Sequence, residues 1–257
     1  MTLVALRDSG SRPPLICAHP IGGHVNEYRR LAERLGADQP VYAIESNALR
    51  APFAEHATIA AMAADYAAQL LAARPHGPYR LAGWSMGALT AHAMACELER
   101  AGAEVELVGL IGPPPERVDP LRSDPTIGAQ AAIQIFHPRP PPSPHIRRVL
   151  RGMTATDPAT VAAYCQDHDL LPGGAEVAEG AAAVIVLLPR HAAMVAAHRP
   201  SVCRARLQVW TQDMVRGGRP RDWAQHTAAD CTFRHVGGTH FRMLRPPGLE
   251  VIAADLA

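Results

Sequence analysis

The 257-residue sequence predicts an α/β fold, in which helices cover both faces of a mostly parallel sheet and a helical insertion interrupts the chain. Short apolar runs alternate with helical patterns from residue 15 to 112, stop at a proline-rich stretch, and resume near residue 207. This alternation is typical of parallel strands joined by crossover helices. A length of 257 residues is ample for a full core and suits one domain with an insertion or two small domains; 1–257 is expected to form a single domain.

The elements of the first half follow from hydrophobic periodicity. The strands are short apolar runs, and the helices repeat apolar residues at intervals of three or four. Thr58 is the expected N-cap of the second helix, and Gly102 the expected residue after the third. The predicted strands are 15–18, 41–46, 79–84 and 105–112, and the predicted helices are 25–36, 58–74 and 86–101.

Residues 113–200 break the alternation and are predicted to be an insertion over one edge of the sheet. Its proline cluster at 138–144 has a disordered segment as its alternative interpretation. Helical patterns at about 157–167 and 176–198 favour an ordered lid. Two further strands, 207–211 and 231–236, complete the predicted sheet.

Composition excludes several classes of function. A net charge of +1 with intermixed acids and bases gives no indication of nucleic-acid binding. The five cysteines form no CxxC pair, which suits reduced thiols in a cytoplasm. No signal-peptide pattern opens the sequence, and no apolar stretch looks long and clean enough to span a bilayer, so a soluble cytoplasmic protein is expected. No histidine or cysteine pair has zinc-site spacing, so neither a metal nor a cofactor of its own is expected.

The segment Gly83-Trp84-Ser85-Met86-Gly87 lies where a predicted strand meets a predicted helix. GxSxG at such a junction is typical of a sharp turn that exposes a serine hydroxyl at the carboxyl end of a sheet. Ser85 is therefore the predicted nucleophile. The alternative is a small residue chosen only for a tight turn.

A serine nucleophile needs a base, and in this arrangement the base follows the last strand. His240, in the segment HVGGTHFRML, is at that place and is the predicted general base. His235 lies on the predicted last strand and is expected to pack. His19 lies in an early glycine-rich turn and is expected to shape that loop.

An oxyanion needs backbone donors near the serine. The N–H of Met86, directly after the nucleophile, is the first predicted donor. The second comes from the loop after an early strand, here 19–23, with Ile21 as the best candidate. Gly22 and Gly23 could equally form a simple turn.

Three motifs together resemble the thioesterase domains of nonribosomal peptide and polyketide synthases. They are HPIGG followed by Tyr28 and Leu31, GWSMGA around Ser85, and the ending GTHFRMLRPP. The resemblance covers essentially the whole chain and implies an α/β-hydrolase fold with a helical lid. It implies that the serine takes an acyl or peptidyl chain from the phosphopantetheine arm of a carrier protein. Release to water, or to an internal amine or hydroxyl, would follow, and a monomer is expected.

One position departs from this resemblance. Synthase-embedded members usually carry the triad aspartate directly after the strand matching 105–112, where this chain has Gly112. Glycine cannot orient an imidazole. Asp213, after the strand 207–211, is the favoured acid; Glu116 or Asp119 could instead reach in, or the triad could be incomplete. Free-standing and embedded origins both remain open.

The insertion contains an arginine cluster, Arg147, Arg148 and Arg151, that could meet an acidic carrier domain or simply form a solvated helix face. Its apolar residues could line an acyl pocket or pack the lid itself. Two other functions compete with a thioesterase. A lidded carboxylesterase would share Ser85, and a degenerate hydrolase kept as a carrier-binding module would be consistent with Gly112.

Overall fold

The computed structural model describes residues 2–49, 56–115, 125–212 and 222–257. They form a seven-stranded sheet in the order β1-β3-β2-β4-β5-β6-β7. β1 runs antiparallel to β3, and the other neighbours are parallel. The predicted fold class is thereby confirmed. The strands are β1 Thr2–Arg7, β2 Leu15–Ala18, β3 Val41–Glu45, β4 Tyr79–Trp84, β5 Val105–Ile111, β6 Arg206–Thr211 and β7 Cys231–His235.

Eight α-helices accompany these strands in the described ranges. The caps agree with the sequence: Thr58 accepts a hydrogen bond from the N–H of Ala61, and Gly102 follows α3 with φ +85°. The helices are α1 Tyr28–Arg34, α2 Ile59–Ala73, α3 Met86–Arg100, α4 Pro125–Phe136, α5 Ser143–Leu150, α6 Pro158–Asp167, α7 Ala175–Ala197 and α8 Gly248–Leu256.

The central strands of the sheet are buried on both faces. On one face, side chains such as Leu81 and Val108 pack with α2 and α3. On the other, side chains such as Ala82 and Trp210 pack with buried residues of α1 and α8. Because both faces are covered, the central strands are continuous apolar runs, and β4 is buried at all six positions.

Four elements were not predicted. β1 is an antiparallel edge strand that contains the apolar run LVAL, and α8 follows the pair Pro246-Pro247. α4 and α5 lie in the proline-rich stretch. Their prolines are compatible with helix because Pro125 begins α4 and Pro144 lies in the first turn of α5, where a backbone N–H is not needed.

The chain divides into two compact units, Met1–Asp119 with Met194–Ala257, and Pro120–Ala193. The second unit lies inside the insertion expected at 113–200. It has its own apolar core, in which Leu150, Val161, Val184 and Ile185 are buried. Leu150 and Val184, two of the apolar residues that could have lined an acyl pocket, therefore pack within this unit.

One helix corrects an expectation about membranes. By length and composition alone, α7 could cross a bilayer, although no apolar stretch was expected to do so. Within the structure, 56% of its most apolar window is buried. A core helix of a soluble protein passes the same test, so this single helix is weak support for a membrane span.

Candidate active site

Ser85 stands at a sharp turn between β4 and α3. Its backbone has φ +57° and ψ −124°, a conformation that L-residues rarely adopt. The turn requires small neighbours: a Cβ on Gly83 would lie 2.0 Å from the carbonyl oxygen of Gly87, and one on Gly87 would lie 2.3 Å from that of Ala18. The two glycines thus let the strand end, the helix start and the early loop approach closely.

The structure brings Ser85 and His240 together. The Ser85 Oγ lies 2.9 Å from His240 Nε2, a hydrogen-bond distance, across 155 residues of chain. Ser85 is 8% exposed. His240 begins a short 3₁₀ turn after β7, and its ring packs against Trp84 at a centroid distance of 5.4 Å. The predicted nucleophile and base therefore have the geometry that proton transfer needs.

Burial controls the protonation of His240. Desolvation lowers its pKa from an ordinary value of 6.5 to about 4, because a charged imidazolium loses hydration in this position. The ring is thus neutral at pH 7. A neutral imidazole with an unprotonated Nε2 is the form that can accept the serine proton.

The other ring nitrogen faces an amide rather than a carboxylate. The side-chain nitrogen of Gln212 lies 3.3 Å from His240 Nδ1. Across the described ranges, Ser85 and Gln212 are the hydrogen-bond partners of this ring. The three acids weighed from sequence, Glu116, Asp119 and Asp213, lie outside the described residues, so their roles stay predictions.

Sequence reasoning did not single out Gln212, because a glutamine after a strand belongs to no catalytic pattern. The available signal was Gly112. This glycine has φ +51°, and a Cβ built on it would lie 3.3 Å from His240 Nδ1. A missing side chain at such a position indicates that another group contacts the imidazole.

The early loop is tied to the serine turn through Tyr28. Its hydroxyl accepts the N–H of Trp84 at 2.7 Å and donates to the carbonyl of Ala18 at 2.6 Å. Ala18 ends β2, directly before the loop that contains Ile21. Met86 is the first residue of α3, where a helix leaves its N–H groups without intrahelical partners. Both predicted oxyanion donors thus belong to segments that meet beside Ser85.

The two other histidines considered in the sequence analysis, His19 and His235, have different environments. His19 is fully buried, with one ring nitrogen 3.0 Å from the Tyr66 hydroxyl and the other 2.9 Å from the Pro20 carbonyl oxygen. His235 is exposed on the edge strand β7, with Nδ1 3.5 Å from the Thr211 hydroxyl, so the expectation that it packs was wrong. In the described part of the chain, no cluster of three or more metal-ligating side chains occurs.

A buried parallel sheet with a strained serine before a helix and a histidine from a late loop defines an α/β-hydrolase. The sequence comparisons identify the family within this class of fold. A family model described as Thioesterase domain matches residues 13–256, so the chain belongs to the thioesterase domain family. This confirms the resemblance drawn from the three motifs.

The relatives are nonribosomal peptide synthetases. The chain is 37% identical over 123 residues to a dimodular nonribosomal peptide synthase of Bacillus subtilis, spanning 48% of this chain and 5% of that protein. It is 27% identical over 263 residues to CymA, a probable non-canonical nonribosomal peptide synthetase of Salinispora arenicola, spanning 99% and 3%. The chain therefore corresponds to a small part of the length of each of these relatives.

Solved structures show the same fold. A fluorophosphonate-complexed NocB thioesterase domain from a nocardicin cluster superposes with a TM-score of 0.70 at 24% identity, covering 99% of this chain and 97% of that one. The four-domain synthetase holo-AB3403 gives 0.79 at 22% identity, covering 99% and 20%. At these identities, the likeness concerns the fold.

Proposed function

We propose that this chain is a serine thioesterase that releases an acyl or peptidyl chain from a carrier protein through an acyl-serine intermediate. One observation carries the proposal: Ser85 Oγ lies 2.9 Å from His240 Nε2 at a strained turn whose serine is nearly buried. A serine placed only for a tight turn would not need a histidine from a loop 155 residues away.

The chemistry follows from this pair. His240 Nε2 takes the Ser85 hydroxyl proton as the oxygen attacks the thioester carbonyl. The N–H groups of Ile21 and Met86 donate to the oxyanion of the tetrahedral intermediate. When the carbon–sulfur bond breaks, the imidazolium returns its proton to the leaving thiolate, and the acyl group remains on Ser85.

A second nucleophile then removes the acyl group. His240 takes the proton of this nucleophile as the new bond to the acyl carbon forms, and when the bond from the acyl carbon to Ser85 Oγ breaks, the imidazolium gives that proton to the serine oxygen. Water gives hydrolysis, whereas an amine or hydroxyl of the same chain gives a ring, and one from another molecule gives transfer. Asp213 remains the acid favoured by sequence for orienting His240.

The proposed substrate is carried on the phosphopantetheine arm of a carrier domain. Two relatives are named as a dimodular nonribosomal peptide synthase and a probable nonribosomal peptide synthetase, which supports such a partner. Arg147, Arg148 and Arg151 form an exposed basic group at the end of α5, suited to an acidic partner face. The proposal includes a monomer acting in the cytoplasm without a cofactor of its own.

Intact-mass measurement after exposure to a fluorophosphonate tests the nucleophile. We expect one adduct in the wild type and none in Ser85→Ala or, at the same exposure time, in His240→Ala. No adduct in the wild type, with the protein folded by circular dichroism, would support a carrier-binding module instead.

Comparing two matched substrates tests the reaction class. An acyl-pantetheine thioester and the oxyester with the same acyl group are offered to wild type and Ser85→Ala. We expect a higher kcat/KM for the thioester, since the proposal assigns the site to a thiol leaving group. A clear preference for the oxyester would instead favour the carboxylesterase.

A further inference from the structure

Gly112 and Gln212 lie side by side at the carboxyl edge of the sheet. Gly112 follows β5 and Gln212 follows the neighbouring parallel strand β6, and the Gly112 N–H donates to the Trp210 carbonyl at 2.8 Å. A Cβ on Gly112 would stand 3.1 Å from Gln212 Oε1 and 3.3 Å from His240 Nδ1. The glutamine amide therefore reaches the imidazole through space that a side chain at 112 would fill.

We propose that Gln212 is the positioning residue of His240, accepting the Nδ1–H with its side-chain carbonyl, and that Gly112 provides the room for it. The inference rests on the proposed function, because it concerns how the base of that reaction is held. In this arrangement a neutral amide takes the place of the carboxylate that orients the histidine in a Ser-His-Asp triad.

The chemistry selects one orientation of the amide. Oxygen and nitrogen of a glutamine side chain exchange places by a half-turn about the last bond, with almost no change in shape. With the amide nitrogen toward Nδ1, the ring proton would sit on Nε2 and face the Ser85 hydroxyl, so the ring could not accept the serine proton. With the amide oxygen toward Nδ1, Nε2 is unprotonated and can accept it.

The surroundings of the ring suit a neutral partner. Among described residues, those with a hydrogen bond or ring contact to His240 are Ser85, Trp84, Phe241 and Gln212. All four are uncharged. Among the described residues, therefore, no charge in contact with the ring offsets the desolvation that lowers the pKa of His240 to about 4.

Two glutamine variants on β6 and its end test the role. Gln212→Met keeps the length of the side chain and removes its hydrogen bonds. The matched control is Gln208→Met, four residues earlier, where the amide oxygen accepts the Thr232 hydroxyl at 2.5 Å. We expect Gln212→Met to label with fluorophosphonate about 100-fold more slowly than Gln208→Met. On the thioester, kcat should fall while KM holds. Equal labelling rates in the two variants would overturn the assignment.

Gln212→Glu is the conservative variant that should retain the labelling rate lost in Gln212→Met. The carboxylate is nearly the same size, still accepts the Nδ1–H, and adds a charge that favours the imidazolium. We expect labelling at least as fast as wild type at pH 7, with the acid limb of the pH profile moved to higher pH. An unmoved acid limb would mean that the side chain at 212 does not contact the imidazole in solution.

Asp213→Asn tests the competing hypothesis that Asp213, and not Gln212, orients His240. If Gln212 orients the base, the rate loss in Asp213→Asn is smaller than in Gln212→Met. A loss that equals or exceeds that of Gln212→Met would assign the orienting role to the acid and overturn the proposal.

Nitrogen-15 NMR of the histidine rings gives a readout independent of turnover. His240→Ala identifies the His240 signals among those of the 13 histidines. We expect the Nδ1–H tautomer in wild type and its loss in Gln212→Met. If wild type carries the Nδ1–H tautomer yet forms no adduct, the proposed function fails while the positioning role stands. If the tautomer is the same in Gln212→Met, the positioning role fails.

Discussion

The hydroxyl of Tyr28 accepts the backbone N–H of Trp84 at 2.7 Å, directly before the serine. The same hydroxyl donates to the Ala18 carbonyl at the end of β2. Tyr28 is fully buried, so no water can replace these two bonds without rearrangement. One side chain therefore holds together the two backbone segments that carry the predicted oxyanion donors.

Tyr28→Phe should weaken both the fold and the site. Removal of the hydroxyl leaves a buried N–H and a buried carbonyl unpaired, at a cost of about 1–3 kcal/mol in the free energy of unfolding. Chemical denaturation and the labelling rate of Ser85 check this. Tyr42→Phe is the matched control, because that ring lies against Arg74 and a phenyl ring keeps the contact. Equal losses in both variants would contradict the bridging role.

Gly87→Ala should destabilise the protein strongly. The added Cβ would lie 2.3 Å from the Ala18 carbonyl oxygen, so either α3 or the end of β2 has to move. We expect a loss of about 3 kcal/mol or more, together with slower labelling of Ser85. Gly173→Ala, where the new Cβ meets nothing within 4 Å, should leave the melting temperature nearly unchanged. A tolerated Gly87→Ala would show that the close approach is not required.

The labelling rate of Ser85 should decrease only at unusually low pH. His240 with a pKa of about 4 remains a free base well below pH 6.5, so the labelling rate should hold from pH 7 to 5 and halve near 4. Between pH 6.5 and 4 the unfolded chain binds a proton at this histidine that the folded chain does not. Stability should accordingly decrease as the pH falls through that window. A midpoint near 6.5 would mean that hydration of the ring or a carboxylate beside it cancels the effect of burial.

Charge reversal on α5 should affect only carrier-bound substrate. Arg147, Arg148 and Arg151 are exposed, and we expect their joint replacement by glutamate to raise KM for an acyl-carrier protein while leaving an acyl-pantetheine unchanged. The effect should shrink with added salt, because surface charges are screened. Equal KM values for carrier-bound substrate before and after reversal would exclude this surface from docking.

The sequence predicted most of the sheet and the Ser85–His240 pair because both depend on local patterns. An apolar run before GxSxG identifies the strand and the turn, and a late loop rich in glycine identifies the histidine. α4 and α5 were not predicted because proline usually breaks helices. That effect does not apply in the first turn, where both helices have their prolines.

The environment of His240 Nδ1 could not be predicted in the same way. It depends on the register of two parallel strands, which places Gly112 beside Gln212 across 100 residues of chain. The departure at Gly112 was visible in the sequence, but the side chain that fills the space was not. Nothing in local sequence distinguishes Gln212 from an ordinary solvated glutamine.

The backbone of Gly112 also bears on how this site could change under selection. At φ +51°, aspartate and asparagine are the side chains that fit with least strain. A glycine codon becomes an aspartate codon through one base change. The new Cβ would meet mainly the sulfur of the buried Met243, whose side chain would have to shift, and the Gln212 amide. A random library selected for turnover therefore has a short path from a neutral catalytic centre to an anionic one.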